Sequence, residues 1–360
     1  MSSDSRDRPM DSPLKDPQES GLHFPFEDLD LPDSSGAIEI TEGVYWLRLP
    51  LPMALNHINI WLLKDDDGWT VVDTGFKSRR SQSLWQEAFE TVLQGRPIRK
   101  VIATHMHPDH IGQAKWLCQH FDCDLHMSQA EFFYGHYLGN VDPSHYLRHL
   151  EKFYASMGID ELDPEGREGI TLTPQVFSSL PLSYTRLRGG DTLLINGEPW
   201  NLIPGSGHSP EHICLYSPVK NLLISGDQVL PSITSNISVY AEDPSANPLE
   251  EWLDSCRRIS QQLPADSLVL PAHGQPFVGL HHRLETLIEG HHRQLDRLRK
   301  FLQEPHTCVD TLPILFSGDL KGFNRLIAAT EALAHINFLR ARGEVRRYKN
   351  EQEVYVYQMI

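Results

Sequence analysis

The chain has 360 residues, enough for one large domain with an appendage or for two domains, and its composition is that of an ordinary globular protein. Its 32 Lys and Arg residues against 48 Asp and Glu residues give a net charge of −16, which disfavours a protein whose main partner is a phosphate backbone. The five cysteines are odd in number and scattered, so neither a disulfide framework nor a thiolate zinc site is indicated.

The N-terminal residues 1–36 are rich in Ser, Asp and Pro, and we expect them to form a flexible tail, although Phe24 and Phe26 could dock. They lack the basic-then-apolar order of a signal peptide. No apolar run in the chain approaches the roughly 18 residues that a membrane span needs. We therefore expect a cytoplasmic protein with no membrane partner.

Residues 37–282 contain short runs biased to β-branched or aromatic residues, each closed by Gly, Pro, Asp or His, as is typical of buried strands that end in loops. The runs are GVYWLRLPL, HINIWLLK, WTVVDTG, KVIATH, WNLIPGSG, ICLYS, NLLISGD and SLVLPAHG. Residues 81–93, 112–121 and 250–263 have helical spacing instead. Strands interleaved with helices predict a layered α/β domain over residues 37–282.

Two further regions are predicted to be helical. Residues 126–170 are rich in aromatic residues and histidine and have no strand pattern, which predicts two helices inserted between strands. Their aromatic side chains either pack the helices on the sheet or form an apolar lid over a substrate. Residues 283–360 contain two long amphipathic helices followed by a predicted hairpin, which suggests a small winged-helix-like C-terminal domain.

The stretch ATHMHPDHIG, residues 103–112, follows an apolar run and places three histidines and an aspartate in six positions. Packing these polar side chains together without a partner would be costly, so a metal cation is the natural partner. Other predicted strands end in Asp73, His208, Asp227 and His273. Because the carboxyl ends of strands converge in α/β folds, these side chains are expected to meet at one site.

This set, HMHPDH followed by a His, an Asp and a His at separate strand ends, resembles the metallo-β-lactamase-fold hydrolases. The resemblance extends to the β-lactamase-like or glyoxalase-II-like subgroup that has a C-terminal winged-helix-like domain. It implies an αββα sandwich with a metal pair at one edge of its two sheets. The ligands it implies are His105, His107 and His208 for one metal, Asp109, His110 and His273 for the second, and Asp227 as the bridge. Asp73 would orient the histidine loop.

The implied cofactors are two Zn²⁺ ions, although such ligands also suit Fe or Mn. The implied reaction is hydrolysis by a metal-bridging hydroxide, with Asp109 as the catalytic residue that orients the nucleophile and accepts its proton. The expected substrate is a small-molecule ester, lactone or thioester. The alternative is an endoribonuclease or phosphodiesterase acting on single-stranded nucleic acid, supported by 12 Lys and Arg against 8 Asp and Glu at residues 283–349. Fold alone does not choose between them.

Residues that contact the substrate are harder to predict. Ser235, Asn236 and Tyr240 lie on a loop after Asp227, and His212 follows His208, so each is either a substrate contact or part of an ordered turn. A non-enzymatic binding protein is disfavoured by the complete set of ligands. The C-terminal helices offer a surface for a homodimer, but the sequence does not determine the oligomeric state.

Overall fold

Two β-sheets form the centre of the computed structural model, which describes residues 21–29, 36–53 and 55–360. The first sheet contains β1 (Ala37–Thr41), β2 (Val44–Pro50), β3 (His57–Asp65), β4 (Gly68–Val72), β5 (Ile98–Ile102), β6 (Asp124–Met127) and β7 (Thr185–Arg186), side by side in that order. The second contains β8 (Thr192–Ile195), β9 (Glu198–Gly205), β10 (His212–Ser217), β11 (Leu222–Gly226), β12 (Leu268–Pro271) and β13 (Phe277–Val278), also in chain order. The eight predicted strands correspond to β2–β5 and β9–β12.

Helices cover the outer faces of the sheets. The first sheet carries α1 (Arg79–Thr91), α2 (Pro108–Ile111) and α3 (Ala114–Phe121). The second carries α8 (Pro248–Gln262), α9 (Leu280–Phe301) and α11 (Gly322–Ala341). Side chains alternate along each strand, so Trp46 and Ile213 lie in the core between the sheets, whereas Leu47 packs against the helices of the first sheet. The result is the predicted αββα sandwich.

The helical insertion differs from the prediction of two helices without a strand. Strand β6 occupies its start, and four helices follow: α4 (Gln129–Asn140), α5 (Pro143–Ser156), α6 (Pro164–Thr171) and α7 (Thr173–Phe177). Proline occupies the first turn of α5, α6 and α7, where its missing N–H group costs nothing, and it could not continue a preceding helix. Strand β6 escaped prediction because it is short and contains His126.

After α9 the chain forms β14 (His306–Thr307), a 3-10 turn at Val309–Thr311 and α10 (Leu312–Leu315), and after α11 it forms β15 (Val345–Lys349) and β16 (Tyr355–Met359). The three strands form a small sheet in the order β14, β16, β15. The two predicted helices and the hairpin are present, and the winged-helix assignment stays a prediction. Residues 328–339 of α11 are all buried, so most of this helix is an internal element.

The predicted tail, residues 1–36, lies mostly outside the described residues, but residues 21–29 pack on the domain. The backbone N–H of His23 donates to Val278 at 3.1 Å, and the Phe24 ring lies 6.5 Å from that of Phe277. Phe26 packs against the core between the sheets. This described part is therefore docked, because its aromatic side chains find apolar surface to cover. Among the described residues, no helix is long and apolar enough to cross a membrane.

Candidate metal centre

Five strands end at the same edge of the sandwich, and the loops after them carry the predicted site residues. Asp73 follows β4, the HMHPDH stretch follows β5, His208 follows β9, Asp227 follows β11 and His273 follows β12. Pro108 begins the short helix α2, which turns the chain between His107 and Asp109. The seven predicted ligands form two groups, and within each group the ligand atoms lie within 4.8 Å of one another.

The first group contains His105, His107, His208 and Asp227. His105 Nε2 lies 2.8 Å from His107 Nδ1 and 3.2 Å from His208 Nε2. Asp227 Oδ2 lies 3.3 Å from His208 Nε2. Three imidazole nitrogens and a carboxylate oxygen therefore point at one small volume.

The second group contains Asp109, His110 and His273, and Asp227 connects it to the first. His273 Nε2 lies 3.3 Å from Asp109 Oδ2. The second oxygen of Asp227, Oδ1, lies 3.5 Å from His110 Nε2 and 3.4 Å from His273 Nε2. The two oxygens of Asp227 thus face different groups of predicted ligands.

Two buried atoms test whether the residues fit metal ions. His110 Nε2 and Asp227 Oδ1 are buried and have no hydrogen-bond partner among the residues that the structure describes. A buried polar atom without a partner costs about 1–3 kcal/mol, so native sites rarely leave two together unless another group satisfies them. A cation would satisfy both, and the nitrogen and oxygen donors without thiolate suit Zn²⁺ as well as Fe or Mn. The residues present fit a metal site.

The pKa values of His105 and His107 in the first group are shifted in the opposite direction from those of His110 and His273 in the second. Burial, together with neighbouring imidazoles, lowers the pKa of His105 well below its usual value and that of His107 to about 3, so both stay neutral as metal ligands require. Burial would also lower the pKa of His273, but Asp227 and Asp109 outweigh it and raise that pKa to about 10. The second group therefore attracts positive charge, which a metal ion supplies.

Hydrogen bonds behind the histidines fix their rings. His110 Nδ1 donates to Asp73 Oδ2 at 2.8 Å, His208 Nδ1 to the Asn236 carbonyl at 2.7 Å, and His273 Nδ1 to the His57 carbonyl at 2.8 Å. These bonds leave each Nε2 free to bind metal. Asp73 also accepts the Thr104 N–H at 2.8 Å, and it has a φ of 63°, uncommon outside glycine. The orienting role of Asp73 stays a prediction.

Glu131 on α4 is a supporting residue that the sequence interpretation missed. This fully buried side chain accepts the N–H of Met106 at 3.0 Å and the N–H of Glu211 at 2.7 Å. Met106 stands between His105 and His107, so one carboxylate connects the HMHPDH loop to the loop after β9. The connected residues are 25 and 80 positions from Glu131, and no local pattern signals such a contact.

The prediction that His212 contacts the substrate is not supported by its position. His212 is fully buried on β10, and its Nε2 accepts the N–H of Asp227 at 3.2 Å. Gly226 has a φ of 51°, and a Cβ at this position would lie 2.5 Å from His212 Nε2. His212 and Gly226 together position the backbone of Asp227, and the missing side chain at Gly226 permits their close approach.

A cavity of about 460 Å³ opens beside the two groups of ligands, within the range of about 300–1,000 Å³ usual for small-molecule sites. His107, Pro108 and Asp109 line it at the site. Asn236 and Tyr240 line it as well, and the Tyr240 hydroxyl lies 3.4 Å from His107 Nε2. Both residues lie where substrate contact requires them, and that contact stays a prediction. Ser235 is buried and donates to the Asp227 carbonyl instead.

The lining of this cavity is mainly apolar. Its carboxylates are Asp109 and Glu242, and among the residues that the structure describes no Lys or Arg lines it. Aliphatic and aromatic side chains from α4 to α7 and from α11 form most of the walls. The cavity therefore favours an uncharged apolar group over an anionic one.

The chain is similar to known proteins over most of its length. Residues 54–273 match the metallo-beta-lactamase superfamily, and residues 295–360 match the metallo-beta-lactamase-like C-terminal domain. The crystal structure of a beta-lactamase domain protein from Burkholderia ambifaria is similar, with a TM-score of 0.86 and 35% identity, covering 98% of this chain and 99% of that one.

Two curated relatives have named activities. The probable metallo-hydrolase YqjP of Bacillus subtilis is 26% identical over 88% of this chain and 98% of its own length. The acyl-coenzyme A thioesterase MBLAC2 of Homo sapiens is 26% identical over 66% of this chain and 80% of its own length. With the superfamily match spanning more than half of the sequence and all seven ligand positions, the chain belongs to the metallo-beta-lactamase superfamily and is a metal-dependent hydrolase.

Proposed function

We propose that this protein is a dinuclear hydrolase, with two zinc ions, that cleaves the ester, lactone or thioester bond of a small molecule. The observation that carries the proposal is the mainly apolar cavity, which meets His107 and Asp109 at the two groups of ligands. Similarity to the thioesterase MBLAC2 supports a thioester among these substrates.

In this proposal, His105, His107 and His208 hold one ion, Asp109, His110 and His273 hold the other, and Asp227 binds both. The ions, when bound, supply Lewis acidity and make water a usable nucleophile at neutral pH. The neutral imidazoles of His105 and His107 require no loss of a proton before they bind metal.

The chain's own residues then orient the reacting groups. Asp109 lies at the junction of the ligands and the cavity, where its carboxylate holds the attacking water and accepts a proton. Burial raises the pKa of Tyr240, so its hydroxyl keeps its proton and donates a hydrogen bond to the carbonyl oxygen of the substrate. Asn236 offers a second polar group at the same wall.

Several features favour a carbonyl substrate over a nucleic acid. No Lys or Arg among the described residues lines the cavity, whereas proteins that bind phosphate backbones rely on such cations. Arginines near the C-terminus have partners within the protein: Arg340 donates to Asn337, Arg342 to Glu250 and Arg346 to Gln358. The long C-terminal helix α11 is largely buried and presents no continuous basic face.

Hydrolysis of a substrate panel tests this proposal, with and without chelator. The panel contains an N-acetylcysteamine thioester, a lactone, a p-nitrophenyl ester, bis-p-nitrophenyl phosphate and single-stranded RNA. We expect chelator-sensitive turnover of the carbonyl substrates. In Asp109→Asn, turnover should fall by at least about 10²–10⁴-fold because the proton acceptor is lost and the second ion loses a carboxylate ligand.

The matched control is Asp160→Asn, since Asp160 is exposed and lies outside the cavity. Its turnover should equal that of the wild-type protein. Hydrolysis of RNA or of the phosphodiester, with none of the carbonyl compounds, would contradict the proposed function.

A further inference from the structure

The cavity beside the ligands has walls made from one face of each of several helices. Tyr134 and Leu138 on α4, Tyr146, Leu150, Phe153 and Tyr154 on α5, and Phe323, Ile327 and Thr330 on α11 all line it. The spacing of three and four residues on each helix places these side chains on a single face. The substrate chamber is therefore built from the helical insertion and from the C-terminal region together.

Helix α11 is attached directly to the loop that carries Asn236 and Tyr240. The backbone N–H of Val239 donates to the Thr330 carbonyl at 3.2 Å, and the Thr330 hydroxyl donates to Ser238 Oγ at 2.9 Å. The wall that α11 contributes is thus held at a fixed position relative to the ligands.

The rim of the cavity exposes apolar surface. Met53, Leu172 and Phe323 line the cavity and are 52%, 39% and 45% exposed, respectively. On α6, a Cβ at Gly169 would lie 3.0 Å from Phe323 Cδ2, so α6 and α11 approach closely through a residue without a side chain. Exposed apolar residues grouped at the rim of a cavity indicate a binding site for an apolar group.

We propose that this cavity is the acyl-chain subsite of the hydrolase, an inference that rests on the function proposed above. The substrate class is an ester or thioester of an uncharged acyl group, and Ile327 of α11, which lines the cavity, limits the length of the chain. The cavity lining contains the carboxylates Asp109 and Glu242 and, among the described residues, no Lys or Arg, so a carboxylate on the acyl chain would have no cationic partner there. Such acyl groups are therefore excluded.

The expected dependence on chain length follows from burial. Each methylene group transferred from water to an apolar wall strengthens binding by about fourfold. Binding should therefore rise with each added carbon and level off at the length that α11 permits. An open groove without an end wall would produce no such limit.

Calorimetric binding of non-hydrolysable thioethers tests the subsite separately from catalysis. The probes are N-acetylcysteamine S-alkyl thioethers with butyl, octyl, dodecyl and hexadecyl chains, and the corresponding thioesters serve for kinetics. For the wild-type protein we expect affinity to rise from butyl to octyl and then to level off. An octyl chain ending in a carboxylate should bind at least tenfold more weakly than the uncharged octyl chain.

Two substitutions at position 327 should change the limit in opposite directions. Ile327→Trp places a larger side chain in the cavity. It should weaken binding by at least tenfold for the longest chain that the wild-type protein accepts, while butyl binding stays unchanged. Ile327→Ala enlarges the cavity and should move the limit to longer chains. The control is Asn324→Trp, because Asn324 is exposed on the same helix and does not line the cavity; it should bind all chains as the wild-type protein does.

Affinities that do not vary with chain length, or position-327 variants that change all chain lengths equally, would overturn the subsite. Length-dependent thioether binding without hydrolysis of any thioester, ester or lactone would retain the subsite and reject the proposed function. Thioester hydrolysis combined with thioether binding that does not depend on chain length would retain the proposed function and reject the subsite. If Ile327→Trp fails to fold, Ile327→Ala still decides the question.

Discussion

Single side chains at the metal centre differ in how far the sequence predicts them. The clustering of the seven predicted ligands could be foreseen because HMHPDH is contiguous and because Asp227 and His273 directly follow apolar runs. The roles of Glu131 and His212 were not predictable, since each acts on residues brought close only by the folded chain. Local patterns thus identify groups that end strands, and not groups that support a neighbouring loop.

Substitution of Glu131 should weaken metal binding. Glu131→Ala removes the acceptor for the Met106 N–H, between two ligands, and leaves that group buried. Because residues that orient ligands typically contribute 10–100-fold to metal affinity, we expect a loss of about that size. Competition with a chromogenic chelator measures it. Gln129→Ala, an exposed position on the same helix, should retain wild-type affinity; unchanged affinity in a folded Glu131→Ala protein would show that the contact does not position the ligands.

At the scale of elements, α11 differs most from its predicted character. Its spacing predicts an amphipathic helix, yet residues 328–339 are buried without interruption. Small residues such as Ala328, Ala329 and Ala332 allow neighbouring helices to approach α11 from several sides. The hydrophobic pattern of the sequence does not reveal how closely neighbours pack, so it does not predict this burial. The prediction of two helices in the insertion was also wrong. Its prolines begin new helices, whereas its composition suggested fewer and longer ones.

A buried carboxyl on α11 leads to a pH-dependent prediction. Burial raises the pKa of Glu331 to about 8, so the folded protein keeps this group protonated while the unfolded chain releases the proton above its ordinary value of 4.5. The unfolded state binds fewer protons between these values, so the free energy of unfolding falls as pH rises from 4.5 to 8. Glu331→Gln removes this dependence and should be up to about 3 kcal/mol more stable than the wild-type protein at pH 7.

Urea unfolding at pH 4.5 and at pH 7 measures the effect of Glu331→Gln. We expect the stability difference between the two proteins to increase with pH, whatever offset the lost carboxyl introduces at pH 4.5. A difference that is the same at both pH values would contradict a buried, protonated Glu331.

For the whole molecule, the αββα sandwich and the helical C-terminal region were predictable because strands and helices alternate clearly along the chain. The sequence did not predict that the helical insertion and α11 form the cavity together, since this depends on how both pack around the loop near Tyr240. The cavity is therefore built by the helical insertion and α11 together with the loops that carry the predicted ligands.

Metal removal should affect the stability of the whole molecule. The predicted ligands come from loops after β5, β9, β11 and β12, so an ion that binds them only in the folded state would stabilise the entire sandwich. Occupancy at a thousand times the dissociation constant contributes about 4 kcal/mol. We expect chelation to lower the melting temperature in calorimetry and zinc to restore it. Chelator already saturated with zinc is the control, and an unchanged melting temperature in metal-free protein would contradict this coupling.

The central claim is that two metal ions, joined by Asp227, support hydrolysis of an acyl substrate. The most direct test is to titrate zinc into metal-free protein, measuring bound metal by mass spectrometry and the hydrolysis rate of S-octanoyl-N-acetylcysteamine in the same samples. The account predicts binding that saturates at two ions per chain, with full activity at that ratio and none in Asp227→Asn. Full activity at one ion per chain, or no hydrolysis at any ratio, would contradict it.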